Sequence, residues 1–129
     1  MSDQATAPPV TTSPYDQVGG ESGIRRIVDR FYEIMDTDPA AADIRAMHGA
    51  DLAPMRQRLF EFMSGWLGGP GLYRGCVVGA HRGFTIGVAE RDQWLSCMAR
   101  ALDDAEIAPE VREMLAKPLF AVAEFMRNG

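Results

Sequence analysis

Residues 52–70, LAPMRQRLFEFMSGWLGGP, carry the clearest helical pattern in the sequence. Their large apolar side chains recur at intervals of three and four residues, at Leu52, Met55, Leu59, Phe62, Met63 and Trp66. This spacing predicts an amphipathic helix from about Leu52 to Leu67, because residues three or four apart share one helix face. Gly68-Gly69-Pro70 then supplies a residue that tolerates left-handed backbone and a stop signal, so the helix is expected to end there.

The same spacing continues on both sides of this helix. Asp38 and Pro39 suit the start of a short helix, because Asp caps free N–H groups and Pro fits the first turn. Further helices are predicted over residues 21–35, 39–47, 88–102 and 109–126. No alternating pattern typical of strands competes with them, so the sequence predicts an all-α fold.

Composition limits the classes of partner and compartment. The chain has 129 residues, 47% of them apolar, and a formal net charge of -5. One core in one domain fits this size. An acidic chain without a basic cluster is not expected to bind nucleic acid or an anionic membrane. No apolar run reaches the roughly 18 to 20 residues of a membrane span, and no signal peptide is recognised, so a soluble cytoplasmic protein is expected.

The two ends of the chain differ in composition. Residues 1–14 are rich in Ala, Thr, Pro and Ser and are predicted to form a disordered tail, which leaves residues 15–129 as the folded domain. The two cysteines, Cys76 and Cys97, are too few to indicate a disulfide framework or a zinc site, so free thiols are expected.

Only two histidines occur, His48 and His81. From spacing alone, a solitary histidine is more often a surface or core residue than a metal ligand. Zinc requires three or four protein ligands, and no close pairing of His and Cys is present. A porphyrin iron requires only one, because the macrocycle supplies four nitrogens. The short ligand list therefore favours haem over a bare metal ion.

Five segments resemble, in order, the signatures of group II truncated haemoglobins. They are YDQVGG (15–20), RFY (30–32), IRAMH (44–48), LFEFMSGWLGGP (59–70) and RDQWLSCM (91–98). The resemblance runs from Tyr15 to Met98 and implies that residues 15–129 form a truncated globin domain. It implies a globin-like, two-over-two helical sandwich around haem b (iron protoporphyrin IX), with His81 as the iron ligand.

The resemblance also implies the residues around a bound gas. It places Tyr32, His48 and Trp94 on the open side of the iron, and each carries a proton that can be donated. A hydrogen bond of about 1 to 3 kcal/mol slows ligand release roughly tenfold to hundredfold. Without the resemblance, Tyr32 and Trp94 are interpreted as core aromatics and His48 as a loop histidine.

Further residues are implied to contact the porphyrin. Met55 and Leu59 face the ligand from the long central helix, although the same pattern is ordinary in a core. Arg58 pairs with a haem propionate or remains a solvated helix cation. The other implied contacts are Phe62, Met63, Tyr73, Phe84, Trp94 and Met98. Typical members carry a longer segment before the iron ligand and an arginine where Ala80 stands, which leaves Arg82 as a candidate propionate partner.

The function implied is the binding of dioxygen and other diatomic gases (O2, CO, NO) or peroxide by a monomer or homodimer. Nitric oxide dioxygenase or peroxidase-like turnover would use the same groups together with an external reductant. The alternative from another class is a helical binding and interaction module that keeps a globin-like fold without haem.

Overall fold

The computed structural model describes residues 13–73 and 85–128. In these two ranges the chain forms six α-helices and one 3-10 helix, with no strand. The helices are α1 (Pro14–Gln17), α2 (Gly20–Thr37), the 3-10 helix (Pro39–Ala41), α3 (Ala42–Ala46), α4 (Ala53–Trp66), α5 (Val88–Asp104) and α6 (Pro109–Phe125). The prediction of an all-α fold is confirmed.

Helix ends lie where the local sequence signals put them. The Asp38 side chain accepts a hydrogen bond from the Ala40 N–H at 2.9 Å and caps the 3-10 helix that leads into α3. Gly68, with a φ of 97°, ends α4 in left-handed backbone. Gly19 and Gly20 have φ angles of 102° and 66°, which lets the chain leave α1 and enter α2 sharply.

The first helix begins inside the segment whose composition predicts a tail. α1 begins at Pro14, and the Ser13 hydroxyl accepts a hydrogen bond from the Asp16 N–H at 3.2 Å. Two residues of the expected tail therefore belong to a capped helix. The division into residues 1–14 and 15–129 otherwise stays a prediction.

α2 is the centre of the molecule. It packs against both α4 and α5, and α6 packs against α5. The helices thus form two pairs, α2 with α4 and α5 with α6. The pairs contact each other through α2 and α5, as expected for a two-over-two helical sandwich. The α2 side chains that are at most 1% exposed are Ile24, Ile27, Val28, Phe31, Ile34 and Met35. Within the described ranges, α4 and α6 have no extensive interface with each other, so each keeps a face that the other does not cover.

The segment after α4 is fixed against α1. The Tyr15 N–H donates to the Leu67 carbonyl at 2.8 Å, and the buried Ser64 hydroxyl donates to the Pro70 carbonyl at 2.7 Å. A Cβ at Gly69 would lie 2.2 Å from the Tyr15 ring, so only glycine fits there. No helix in the described parts of the chain has the length and apolar character needed to cross a membrane.

The end of α6 is tied to the start of α5. Asn128 donates its backbone N–H to the Ile86 carbonyl at 2.8 Å, and its side-chain oxygen accepts from the Ile86 N–H at 2.7 Å. Glu124 pairs with Arg127 and with Arg91, both at 2.9 Å. Hydrogen bonds from Arg127 and then from Arg91 hold the pKa of Glu124 at about 2.

Replacing Glu124 with glutamine is expected to destabilise the protein at pH 7 and to have little effect near pH 2. The pKa of Glu124 is lower in the folded chain than its ordinary 4.5. Its stabilising contribution is therefore complete above about pH 4.5 and is lost as the pH falls toward 2. Urea unfolding of the wild type and of Glu124→Gln at several pH values measures this. Glu113→Gln, on the same helix, is the control, and a difference that does not shrink in acid would contradict the assignment.

Candidate functional site

α4 carries two apolar faces with different burial. Phe60 and Met63 are 4% and 2% exposed and lie in the core. A second face is half-buried and consists of Met55, Leu59, Phe62 and Trp66, which we call the α4 stripe. Large apolar side chains that a folded chain leaves partly exposed in one row are typical of a binding surface.

Phe62 is at the centre of an aromatic group at the end of the α4 stripe. Its ring stacks on Trp66, with centroids 6.3 Å apart, and meets Tyr73 edge-on at 6.3 Å. Tyr73 is half-buried and is the last described residue before position 85. The structure thus places Tyr73 next to Phe62. Both rings could therefore contact the same flat group.

A second aromatic group forms where α2, α3 and α5 meet. Tyr32 and His48 lie edge-on with ring centroids 5.9 Å apart. Phe31 contacts both Tyr32, at 5.0 Å, and Trp94, at 5.6 Å. The structure therefore places the three predicted donors, Tyr32, His48 and Trp94, close together. The Phe31 ring contacts both Tyr32 and Trp94. The sequence did not single out Phe31 as part of this group. Its position next to Tyr32 in the RFY segment is the signal that could have identified it.

The Tyr32 hydroxyl keeps its proton. The residue is only 5% exposed, and this burial raises the pKa of Tyr32 above its usual range, although the positive charge of Arg56 opposes the change. A neutral phenol remains a hydrogen-bond donor at every physiological pH. Tyr32 therefore has the protonation state that a donor to a bound ligand needs.

His48 has a hydrogen bond that decides its tautomer. Its Nδ1 lies 2.7 Å from the Ile44 carbonyl oxygen. A carbonyl can only accept, so Nδ1 carries a proton and donates it. The Nδ1 proton of His48 is therefore engaged by Ile44, whereas the resemblance counts His48 among the donors to a bound gas.

The two arginines in the first half of α4 differ in their partners. Arg56 pairs with Asp29 of α2 at 3.1 Å. Arg58 is exposed and pairs with no carboxylate in the described parts of the chain. α4 thus offers one cation that is held against α2 and one that is available to an anionic group beside the α4 stripe.

The remaining predicted residues divide into two sets. Met63 and Met98 are 2% and 1% exposed and lie in the core, beneath the half-buried surfaces. His81 and Phe84 lie outside the described residues, as do Cys76, Ala80 and Arg82. Their roles stay predictions from the sequence. Within residues 13–73 and 85–128 no group of three or more His, Cys, Asp or Glu is placed to hold a metal ion.

Comparison with known proteins identifies the family. The sequence profile of the family described as bacterial-like globin matches residues 13–128. The group 2 truncated haemoglobin YjbI of Bacillus subtilis (strain 168) is 31% identical over 121 residues, which cover 90% of this chain and 89% of that protein.

Solved structures show the same similarity over nearly the whole chain. A cold-adapted truncated haemoglobin from the Antarctic marine bacterium Pseudoalteromonas haloplanktis TAC125 is 41% identical, with a TM-score of 0.85, over 91% of this chain and 98% of that one. The group II 2-on-2 haemoglobin from the plant pathogen Agrobacterium tumefaciens is 35% identical, with a TM-score of 0.87, over 95% and 98% of the two chains.

Proposed function

Because the chain belongs to the bacterial-like globin family, and within it to the group II truncated haemoglobins, we propose that it holds haem b through His81 and binds dioxygen or another diatomic gas on the opposite side. The observation that carries the proposal is the α4 stripe, which the described helices leave half-buried. The stripe lies on α4, which packs against α2, and α2 in turn packs against α5.

The described residues fit a haem in three respects. The α4 stripe gives an apolar surface for the flat macrocycle. Arg58 gives a guanidinium for a propionate, since its fork geometry matches a carboxylate. The Tyr32–His48 pair and Trp94 give a few polar groups in an otherwise apolar neighbourhood. An apolar wall with few polar groups is typical of a cofactor site.

Retention of a bound gas would depend on the side chains around it. When bound, haem supplies a ferrous iron that transfers electron density to dioxygen. The Tyr32 hydroxyl and the Trp94 indole N–H donate toward the negative end of the ligand. His48, whose Nδ1 donates to the Ile44 carbonyl, packs edge-on against Tyr32. Met55 and Leu59 add no hydrogen bond and shape access from α4.

The imidazole of His48 beside Tyr32 supports peroxidase-like turnover as a second candidate. Cleavage of peroxide benefits from a base that takes a proton from the substrate, and histidine is the side chain most often used for this. An external reductant would supply the electrons. Nitric oxide dioxygenase activity would have the same requirement for a reductant and finds no separate support in the described residues.

Oxygen dissociation measured by stopped flow on the reconstituted ferrous protein tests the proposal. A stable oxygenated spectrum and a measurable single dissociation phase are expected. Peroxide turnover with a small-molecule electron donor, assayed on the same preparation, ranks the second candidate against the first. A protein that binds haem and no diatomic ligand would overturn the proposed function, and one that takes up no haem would favour the haem-free interaction module.

Replacing Arg58 with glutamine is expected to speed haem loss. An exposed ion pair contributes about 0.2 to 1 kcal/mol, so the rate of haem transfer to excess apomyoglobin should rise by up to roughly fivefold. Arg56→Gln is the matched control, because Arg56 is already paired with Asp29 at 3.1 Å. Equal rates of haem loss in the two variants would remove Arg58 from the propionate site.

A further inference from the structure

We propose that Gln93, on α5, is a positioning residue for His48 and acts through the backbone of Ile44. The inference rests on the proposed function, in which His48 lies beside the gas ligand. It adds a residue to which the resemblance assigns no role.

Both polar atoms of the Gln93 amide are used. Its Oε1 accepts from the Ile44 N–H at 3.2 Å, and its Nε2 donates to the Asp43 carboxylate at 2.9 Å. Exchanging oxygen and nitrogen would set an acceptor against the carboxylate and a donor against an N–H group. The amide therefore has one favourable orientation, and it fixes α3 to α5 at this point.

Ile44 transmits this constraint to the imidazole. Its side chain is 4% exposed and lies in the core. Its N–H belongs to the first turn of α3, where no acceptor exists within the helix, so Gln93 supplies the missing partner. Its carbonyl accepts from His48 Nδ1 at 2.7 Å and from the Met47 N–H at 3.2 Å. Ile44 is thus held on one side by Gln93 and holds His48 on the other.

α3 depends on such outside contacts. It spans only Ala42–Ala46, and a helix of this length is not stable by itself. A shift of Ile44 moves the carbonyl that fixes the tautomer of His48. Gln93 precedes Trp94 in the sequence, so two successive residues of α5 serve the same neighbourhood, one as a donor and one as the tie to α3.

A double-mutant cycle tests this coupling. Gln93→Met removes both hydrogen bonds while keeping the side chain long. In the wild-type background it is expected to change the oxygen dissociation rate by roughly threefold or more, in the same direction as His48→Ala. In the His48→Ala background the same substitution is expected to have less than about a twofold effect, because the residue through which Gln93 acts is gone.

A rescue variant guards against loss of folding. Gln93→Glu combined with Asp43→Asn exchanges donor and acceptor in the hydrogen bond between positions 93 and 43. A carboxylate oxygen at position 93 still accepts from the Ile44 N–H. Its dissociation rate is expected to stay within about twofold of the wild type. Arg100→Gln is the control for general loosening, because Arg100 pairs with Asp38 and ties α5 to the 3-10 helix without touching Ile44.

The tautomer itself gives a readout independent of ligand release. Nitrogen-15 spectra of the carbon monoxide complex are expected to show His48 protonated at Nδ1 in the wild type and in Arg100→Gln, and a mixture of tautomers in Gln93→Met. An unchanged tautomer in Gln93→Met, or an equal rate effect of that substitution in both backgrounds, would overturn the inference. A wild type that binds no haem or no gas would instead refute the proposed function, so the two failures are distinguishable.

Discussion

Replacing His81 with alanine is expected to abolish the stable five-coordinate ferrous haem spectrum. A porphyrin iron takes its axial bond from one protein ligand, and His81 is the only histidine besides His48. His48 lies edge-on to Tyr32, in the aromatic group that the resemblance places on the gas-binding side. Absorption and resonance Raman spectra of the reduced, reconstituted variant measure the loss.

Two further samples make this prediction specific. His48→Ala is expected to keep the five-coordinate ferrous spectrum, since it removes a neighbour of the gas and not the axial bond. Added imidazole is expected to restore a five-coordinate spectrum to His81→Ala by filling the space of the missing ring. If His81→Ala keeps the wild-type ferrous spectrum, another residue holds the iron and the account of the site is wrong.

Replacing Tyr32 with phenylalanine is expected to speed oxygen release roughly tenfold to hundredfold, which corresponds to the loss of a hydrogen bond of about 1 to 3 kcal/mol. Tyr32 is 5% exposed and burial raises its pKa, so the hydroxyl keeps the proton that it donates. The ring of phenylalanine fills nearly the same volume, so packing against Phe31 is retained. Stopped-flow dissociation of oxygen gives the rate.

Carbon monoxide and a second tyrosine supply the controls for Tyr32. Carbon monoxide gains less negative charge than dioxygen, so its dissociation rate is expected to change much less. Tyr15→Phe, whose ring packs against Gly69 at the other end of α4, is expected to leave both rates unchanged. An oxygen rate in Tyr32→Phe equal to the wild type would remove Tyr32 from the ligand donors.

The fold was predictable because its signals are local. Asp38 caps the 3-10 helix with its own side chain, and Gly68 ends α4 because it adopts left-handed backbone. Periodic apolar spacing in α2 and α4 likewise depends only on neighbours three or four residues away. The exception is α1, where Ser13 and Pro14 start a helix inside a segment whose composition suggests a tail.

The chemical state of the site was not predictable in the same way. The sequence grouped His48 with Tyr32 and Trp94, but its tautomer depends on a hydrogen bond to Ile44. The contact from Gln93 to Ile44 joins residues 49 positions apart, and no spacing rule reports it. The burial of Tyr32, which keeps its hydroxyl protonated, is likewise a property of the packed helices.

Titration of the haem-free protein with haem, followed by absorption in the Soret region, measures whether this chain holds haem through one histidine. We expect a sharp band that saturates at one haem per chain and a reduced spectrum typical of a single imidazole ligand. Absorbance that rises without saturation, as for free haem in buffer, or a reduced spectrum without a histidine ligand, would contradict it.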